Sequence, residues 1–72
     1  MTDSVALSVS VNGDHRSIAA GTTLEALVAA LTSAPSGVAA AVNETVVPRS
    51  RWSTAALADG DRIEVLTAVQ GG

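Results

Sequence analysis

The sequence lacks several residue types, and each absence narrows what the protein can do. It contains no cysteine, which excludes disulfide bonds, thiolate zinc sites and a cysteine nucleophile. It contains no lysine, so copies of the chain cannot be joined to one another through lysine side chains. Trp52 is the single aromatic residue, and a row of aromatic side chains that could stack on single-stranded nucleic acid is therefore missing.

Positive charge is scarce as well. The chain carries 4 basic and 7 acidic residues, a formal net charge of −3 and a pI near 4.6. Phosphate backbones are bound by clustered basic side chains, so we expect no nucleic-acid partner. Residues 1–4 contain no basic segment leading into an apolar run, and no stretch is long enough to cross a bilayer. The sequence therefore predicts a cytoplasmic protein with no membrane partner.

What remains is a short aliphatic chain. Its 72 residues are 47% hydrophobic and 15% charged, which predicts one globular domain. A domain of this size buries only about 60% of the surface of its unfolded chain. We therefore expect a small core with little tolerance for empty space.

The N-terminal part predicts a β-hairpin. Residues 4–11 alternate between apolar and small side chains, which is typical of a half-buried strand; the apolar set is Val5, Leu7, Val9 and Val11. Asn12-Gly13 follows, a strong hairpin signal because both positions of the favoured turn need positive φ. Residues 15–19 are then the antiparallel partner, with Ile18 directed towards the core.

A helix is predicted after Gly21, where the apolar period changes. One apolar stripe is formed at the spacing i, i+3, i+4 and i+7 by Leu24, Leu27, Val28 and Leu31. This indicates a helix of about ten residues. Thr22 and Glu25 have the spacing of a capping box, in which each side chain bonds a backbone amide at the helix start. Residues 33–37 have the composition of a loop.

The second half predicts three more strands. Residues 38–42 are an apolar run too short for a helix, Asn43-Glu44 is a turn, and residues 45–47 are a short strand. Pro48 ends that strand because it cannot donate to a ladder. Residues 49–58 are predicted as an irregular helical turn that directs Trp52 and Leu57 inward.

The last predicted elements are a turn and a strand. Asp59-Gly60-Asp61 has turn composition, and residues 62–67 alternate, with Ile63 and Val65 inward. The order is therefore strand, strand, helix, strand, strand, strand. A helix across one face of a mixed sheet of four to five strands, with the last strand beside the first, is the α+β architecture called the β-grasp, or ubiquitin-like, fold. We expect this domain to span residues 1–67, followed by a flexible tail at 68–72.

The sequence closes on Gly71-Gly72 directly after the last predicted strand. Glycine loses the most backbone freedom on ordering and has no side chain to bury, so this ending contributes little to a fold. A terminal glycine carboxylate is, however, the least hindered acyl group that a polypeptide can offer to another protein's active site. The hypothesis is a carrier whose Gly72 carboxylate is modified by a partner, with Val69, Gln70 and Gly71 threading the partner's active site.

The carrier hypothesis also requires a surface that docks on the partner. Each ordered residue costs about 1–2 kcal/mol, so the tail alone would bind poorly. Alternation after Val65 directs Leu66 away from the core, and we expect it to anchor this surface. Arg62 and Glu64 would form its rim.

The sequence resembles the ThiS family, the bacterial sulfur carriers of thiamine biosynthesis. The resemblance begins at Val11-Asn12-Gly13 and covers most of the chain. It is carried by residues 21–27, 41–44, 47–49 with Trp52, 59–64, and the closing Gly71-Gly72. A terminal Gly-Gly alone is shared with other ubiquitin-like proteins; its combination with Val-Pro-Arg, Trp52 and Asp-Gly-Asp at these separations is more specific.

The resemblance implies a function for the tail. A ThiF-like activating enzyme would use ATP and magnesium to adenylate the carboxylate of Gly72. Sulfur from a persulfide, supplied indirectly by a cysteine desulfurase, would convert it to a thiocarboxylate. A ThiG-like thiazole synthase would then take that sulfur into the thiazole ring. The carrier itself would bind no cofactor or metal and would supply no catalytic residue.

Four alternatives stay open at this point. Two are other thiocarboxylate carriers: the small subunit of molybdopterin synthase, whose tails carry prolines where this chain has Ala68-Val69-Gln70, and a sulfur carrier for cysteine biosynthesis. The third is a ubiquitin-like modifier attached to substrate lysines. The fourth is an interaction domain without covalent chemistry. An enzyme is not expected, because no motif supplies a nucleophile and a base together.

The remaining polar residues have ordinary interpretations. His15 has no serine or acid at the spacing of a catalytic triad and is predicted to be a surface residue. Asp59 and Asp61 are predicted to stabilise a turn rather than bind a metal. Trp52 is predicted to lie in the core or over a sheet edge. Arg49 and Arg51 are predicted to be solvated.

Overall fold

The computed structural model describes residues 6–32 and 37–67 of the 72. Within them the elements are β1 (Ala6–Val11), β2 (Asp14–Ala19), α1 (Leu24–Leu31), β3 (Val38–Val42), β4 (Thr45–Val46), a 3₁₀ helix (Arg49–Thr54) and β5 (Arg62–Thr67). The predicted order is confirmed. The helix has eight residues rather than about ten, and β4 ends one residue earlier than predicted. The first residues of the predicted first strand and the predicted tail at 68–72 lie outside the described residues.

The described strands form one mixed sheet in the order β2-β1-β5-β3-β4. β1 and β5 are parallel, and the other neighbouring pairs are antiparallel. The last strand therefore lies beside the first, and α1 packs on one face of the sheet. This arrangement confirms the predicted β-grasp architecture.

The β1–β2 hairpin forms as its turn residues predict. Asn12 and Gly13 both have positive φ, +51° and +88°, as the favoured two-residue hairpin turn requires. Val11 is consequently paired with Asp14, and the register continues to Ala6 and Ala19. The turn thus sets which residues of β1 face the helix.

The start of α1 differs from the prediction. The N-cap is Thr23, whose hydroxyl accepts a hydrogen bond from the N–H of Ala26 at 3.2 Å. The hydroxyl of Thr22 instead donates to the carbonyl of Ala19 at 2.6 Å. The predicted capping box of Thr22 and Glu25 is therefore wrong, and the N-cap lies one residue later than predicted. The reason is tertiary: the N–H of Leu24 is already bonded to the carbonyl of Ala55, so the helix begins one residue later.

The core lies between α1 and the inner face of the sheet. Its buried members are aliphatic apart from one indole ring: Val9, Val11, Leu24, Leu27, Val28, Ala40, Trp52, Leu57, Ile63 and Val65. Ile18 and Leu31 are half-buried and pack against this cluster, as predicted. Leu7 is half-buried as well. The predicted inward direction of Trp52 and Leu57 is confirmed.

Candidate functional site

The predicted tail continues from β5, so the surroundings of this strand define the candidate site. β5 is the central strand of the sheet. On one side Ser10 and Val11 of β1 pair with Arg62 and Ile63. On the other side β3 pairs with β5 from Ile63 to Thr67, beyond the reach of β1. A strand held in this way is a rigid origin for whatever follows it.

The side chain of Asn12 extends the contact between β1 and β5. Its Nδ2 donates to the carbonyl oxygen of Val65 at 3.1 Å, and its Oδ1 accepts from the N–H of Val65 at 2.8 Å. The N–H of Asn12 also donates to the carbonyl of Ile63 at 2.9 Å. The sequence pattern indicated only a turn role for Asn12, and this second role was missed.

Asn43 makes a similar arrangement at the other end of β5. Its N–H donates to the carbonyl of Arg62 at 2.7 Å, and its Oδ1 accepts from the N–H of Arg62 at 3.0 Å. Its Nδ2 donates to Asp61 Oδ1 at 3.0 Å. Like Asn12, Asn43 has a left-handed backbone, with φ of +52°. Two turn asparagines therefore hold the two ends of β5 from opposite sides.

The Asp59-Gly60-Asp61 turn has the structural role predicted for it. Asp59 Oδ1 accepts from the N–H of Ser8 at 2.7 Å, and Asp61 Oδ2 accepts from the N–H of Ala58 at 2.8 Å. The N–H of Gly60 donates to the carbonyl of Ser8 at 2.7 Å. The turn thereby joins β1 to the start of β5. Residues 6–32 and 37–67 contain no group of three His, Cys, Asp or Glu side chains placed to hold a metal ion.

The predicted docking residues share one surface. We call the face of the sheet opposite α1 the outer face; along β3, β4 and β5 it consists of Ala39, Ala41, Val46, Arg62, Glu64 and Leu66. Leu66 is 70% exposed and Val46 72% exposed, while Ala39 pairs with Leu66, and Ala41 lies between Glu64 and Val46. Arg62, Glu64 and Leu66 thus lie together on the exposed side of β5. Their docking role stays a prediction.

One ion pair lies at the rim of the outer face. Arg62 Nη2 is 3.2 Å from Glu44 Oε2, with the side chains 58% and 74% exposed. An exposed pair of this kind contributes about 0–1 kcal/mol to stability. Its charges are available to a partner at little cost to the fold.

Gly72, Gly71, Gln70 and Val69 lie outside the described residues. Their predicted roles as the covalent acyl group and as the threading segment stay predictions. What the structure adds is the position of β5, which ends at Thr67 and leaves five residues to Gly72.

His15 is exposed, as predicted, but it has a neighbour that sequence spacing did not reveal. Its Nε2 lies 2.5 Å from Ser8 Oγ on the adjacent strand. Asp59 bonds the backbone N–H of Ser8 and not the imidazole. The three residues therefore do not form the relay that a catalytic triad needs.

Trp52 and the two arginines near it have largely structural surroundings. Trp52 is 3% exposed, and its indole N–H donates to the carbonyl of Val47 at 2.9 Å. The Arg49 guanidinium lies 5.5 Å from the ring centroid, within the range of a cation–π contact. Arg51 is exposed on the 3₁₀ helix. The core assignment of Trp52 is confirmed.

A shallow groove of about 290 Å³ opens where β1, β5 and the end of α1 meet. Asn12, Val65, Leu31 and Thr32 line it, together with residues of β2. Asn12 and Val65, which are joined by two side-chain hydrogen bonds, thus both border this groove. In the described part of the chain, no helix is long and apolar enough to span a membrane.

Comparison with known proteins places this geometry in a family. The model of the ThiS family matches residues 9–72. The sulfur carrier protein ThiS of Escherichia coli is 32% identical over 66 residues, which cover 92% of this chain and 100% of that protein. The crystal structure of a thiamine biosynthesis protein (ThiS) from Geobacter metallireducens superposes with a TM-score of 0.75 at 28% identity. That match covers 92% of this chain and 100% of the other.

Two longer proteins are also similar to this chain. A thiazole synthase of Magnetococcus marinus is 38% identical over 66 residues, and one of Paramagnetospirillum magneticum is 36% identical over 62 residues. The matched region is 20% and 19% of these proteins, so the chain spans about a fifth of their length.

The fold and the family match agree. The structure defines a β-grasp domain whose last described strand, β5, is central and has a partner strand on each side. The chain belongs to the ThiS family.

Proposed function

We propose that this chain is a sulfur carrier for thiazole formation in thiamine biosynthesis. The observation that carries the proposal is the match to the sulfur carrier ThiS of E. coli, which extends over the whole of that protein. In this proposal the Gly72 carboxylate is the group that carries sulfur. The outer face of the sheet, with Leu66, Arg62 and Glu64, docks on the partner enzymes.

The proposed chemistry begins with activation. A carboxylate is a poor electrophile, so a ThiF-like enzyme would join Gly72 to AMP, with ATP and magnesium bound by that enzyme and pyrophosphate released. A persulfide, supplied through a cysteine desulfurase, would displace AMP. Cleavage of the resulting acyl disulfide by a thiol would leave the thiocarboxylate. The partners supply positioning and charge stabilisation, so the chain is a co-substrate rather than an enzyme.

Thiazole synthase is the proposed acceptor of the sulfur. Two thiazole synthases contain a region similar to most of this chain, which supports a shared reaction for the carrier and the synthase. The reaction would take place in the cytoplasm, where we propose that the carrier resides.

The tail composition suits this reaction. Five residues after β5 reach roughly 17 Å at about 3.3 Å each, enough to leave the domain surface and enter a narrow channel. Gly71 and Gly72 carry no side chains at the position where such a channel would be narrowest. Glycine loses the most backbone freedom on ordering, so binding of the tail alone would be costly, and docking of the outer face would offset that cost.

The experiment is sulfur loading measured by intact mass spectrometry. The full chain is incubated with a ThiF-like activating enzyme, ATP, magnesium and a persulfide donor. We expect a mass increase equal to the replacement of one oxygen atom by sulfur, and transfer of that sulfur to product on addition of a ThiG-like synthase. A molybdopterin precursor is offered in parallel as the competing acceptor.

Gly72→Ala is the matched control, because it keeps the carboxylate and adds only a methyl group. We expect it to keep the circular dichroism spectrum and thermal midpoint of the original chain and to fail to load sulfur. Normal loading of Gly72→Ala would contradict the steric role of Gly72. Protein from its own cells that continues untrimmed beyond Gly72 would overturn the proposed function.

A further inference from the structure

The two asparagines that hold β5 have different places relative to the predicted tail. Asn43 bonds Arg62, the first residue of the strand, whereas Asn12 bonds Val65, near its end. We propose that Asn12 is a positioning residue for sulfur loading: its side chain fixes the last part of β5 and thereby the point from which the predicted tail starts. This proposal rests on the proposed function.

The hydrogen bonds of Asn12 replace a missing strand residue. β1 ends at Val11, and its pairing with β5 ends at Ile63. Past this point the carboxamide of Asn12 donates to the carbonyl of Val65 and accepts from its N–H, as a hydrogen-bonded residue of an antiparallel neighbour would. The left-handed backbone of Asn12 allows this, because the chain turns away while the side chain remains beside β5.

Val65 is consequently the last residue of β5 that has a neighbour on both sides within the described residues, and its N–H and C=O are both bonded on the Asn12 side. It is held by Asn12 on one side and is paired with Ala40 of β3. Leu66 and Thr67 have strand partners on the β3 side, Ala39 and Val38. Without the Asn12 carboxamide, support from both sides would end at Ile63, two residues earlier.

Support from both sides at Glu64 and Val65 matters for a reaction at Gly72. Residues that are already ordered in the free carrier do not have to be ordered by the partner. An ordered strand end also fixes the point from which the predicted tail starts, and the seven residues from Val65 to Gly72 reach at most roughly 23 Å. A strand end that moves by ångströms would shift the start of the tail relative to the docked outer face by the same amount, and a misplacement of about 1 Å is enough to slow acyl transfer strongly.

Asn43 provides a matched control within the same chain. It has the same side chain, a φ of +52° against +51°, and a two-point contact with one residue of β5 that includes a 3.0 Å bond from the N–H to Oδ1. Glycine tolerates positive φ, so Asn12→Gly and Asn43→Gly each remove a side chain without straining the turn. Both substitutions keep the backbone bond from residue 12 or 43 to β5.

The experiment compares the two variants in the full chain by two measurements. The first is amide hydrogen exchange followed by NMR. We expect exchange at Val65 to become roughly tenfold faster in Asn12→Gly and to stay unchanged in Asn43→Gly, where Arg62 is affected instead. The second is steady-state sulfur loading. We expect kcat to fall about fivefold in Asn12→Gly, with KM within about twofold, and both parameters to stay near the original values in Asn43→Gly.

The split between kcat and KM separates positioning from general weakening. Neither variant removes a side chain of the outer face, so docking and KM should be preserved, while a displaced start of the tail in Asn12→Gly lowers the fraction of complexes that react. Equal kcat for the two glycine variants would overturn the positioning role. A wild-type chain that takes up no sulfur would overturn the proposed function. The exchange data would still show whether the two hydrogen bonds between the Asn12 side chain and Val65, which we call the clamp, exist.

A measurement on the unaltered chain protects the test against a variant that does not fold. A scalar coupling across the hydrogen bond from Asn12 Nδ2 to the Val65 carbonyl carbon should be detectable by NMR. Asn12→Asp is the second variant, because it keeps an acceptor for the Val65 N–H but places an oxygen against the Val65 carbonyl. Absence of the coupling would refute the clamp, and so would an unchanged thermal midpoint of Asn12→Asp, because the clamp predicts repulsion between the carboxylate and the Val65 carbonyl.

Discussion

The indole N–H of Trp52 donates a hydrogen bond to the carbonyl oxygen of Val47 at 2.9 Å, and the ring is 3% exposed. This bond joins the 3₁₀ helix to the residue that follows β4. It also satisfies the single polar atom of a large ring that would otherwise be costly to bury. The only aromatic side chain of the sequence thus closes one end of an otherwise aliphatic core.

Replacing Trp52 should separate its packing from its hydrogen bond. Trp52→Phe keeps most of the ring and removes the donor, so we expect a loss of about 1–2 kcal/mol in the free energy of unfolding. Trp52→Ala also leaves a cavity and should cost about 3–5 kcal/mol, a large part of the stability of a domain this small. Urea denaturation followed by circular dichroism measures both. Equal losses would show that packing contributes little.

Local sequence patterns predicted most of the fold because each strand, turn and helix is specified by residues that are close together in the sequence. The hairpin is specified by local features alone, namely the alternation of Val9 and Val11 and the positive φ that Asn12-Gly13 adopts. The stripe of Leu24, Leu27 and Val28 depends only on helical geometry. These elements fit together as a β-grasp because each has one apolar face.

The exact start of α1 could not be predicted from local sequence. Thr22 and Thr23 are both good N-cap residues, and the spacing to Glu25 favoured the first. The choice is made by residues more than 30 positions away, since the N–H of Leu24 is bonded to Ala55 and Thr23 forms a bridge with Ala56. No sequence rule for helix caps includes such a partner.

Substitutions at the helix start test the assignment of Thr23 as the N-cap. Thr23→Ala removes the acceptor of the Ala26 N–H and should lower the free energy of unfolding by about 1 kcal/mol. Glu25→Ala should cost at most about 0.5 kcal/mol, because Glu25 makes a favourable interaction with the helix dipole but takes no part in a capping box. Denaturation followed by Trp52 fluorescence measures both. A larger loss for Glu25→Ala than for Thr23→Ala would restore the capping box.

Glu44 provides a prediction of increased stability. It has a φ of +71°, a conformation that costs a residue with a Cβ about 1–2 kcal/mol and that glycine adopts freely. Asparagine followed by glycine is a favoured sequence for a two-residue hairpin turn, and Glu44→Gly would create it after Asn43. We therefore expect Glu44→Gly to unfold at a higher temperature than Glu44→Ala.

The alanine variant is the control because both substitutions remove the ion pair with Arg62. Any difference between them then reports the backbone conformation at position 44. Calorimetry of the two variants gives the comparison. If Glu44→Ala proved as stable as Glu44→Gly, the left-handed conformation would carry no strain.

The site was less predictable than the fold, for a physical reason. Leu66, Arg62 and Glu64 were placed correctly on one exposed face because strand alternation is local. The contacts of Asn12 with Val65 and of Asn43 with Arg62 join turns to a strand 53 and 19 positions away. The available signal was asparagine in turns flanking the predicted strands, but asparagine is common in turns for its backbone alone.

The docking role of the outer face can be tested with two exposed apolar residues. Leu66 and Val46 are similarly exposed, 70% and 72%, so an aspartate at either position should leave the fold intact. Val46 lies on β4, two strands away from β5, and two residues further along the sheet than Leu66. Standard strand spacings then separate the two residues by roughly 12 Å. If docking centres on the origin of the tail, Leu66→Asp should lower kcat/KM for sulfur loading about tenfold or more.

Val46→Asp is the matched control, with the same added charge on the same face. We expect its kcat/KM to fall less than about threefold, because a residue far from the centre of a docking surface contributes little binding energy. The thermal midpoints of both variants should match that of the original chain, which separates a binding effect from unfolding. Because the added charge is the same in both, a general electrostatic effect on the partner would lower both equally. Loading of Leu66→Asp at the original rate would place the docking surface elsewhere on the domain.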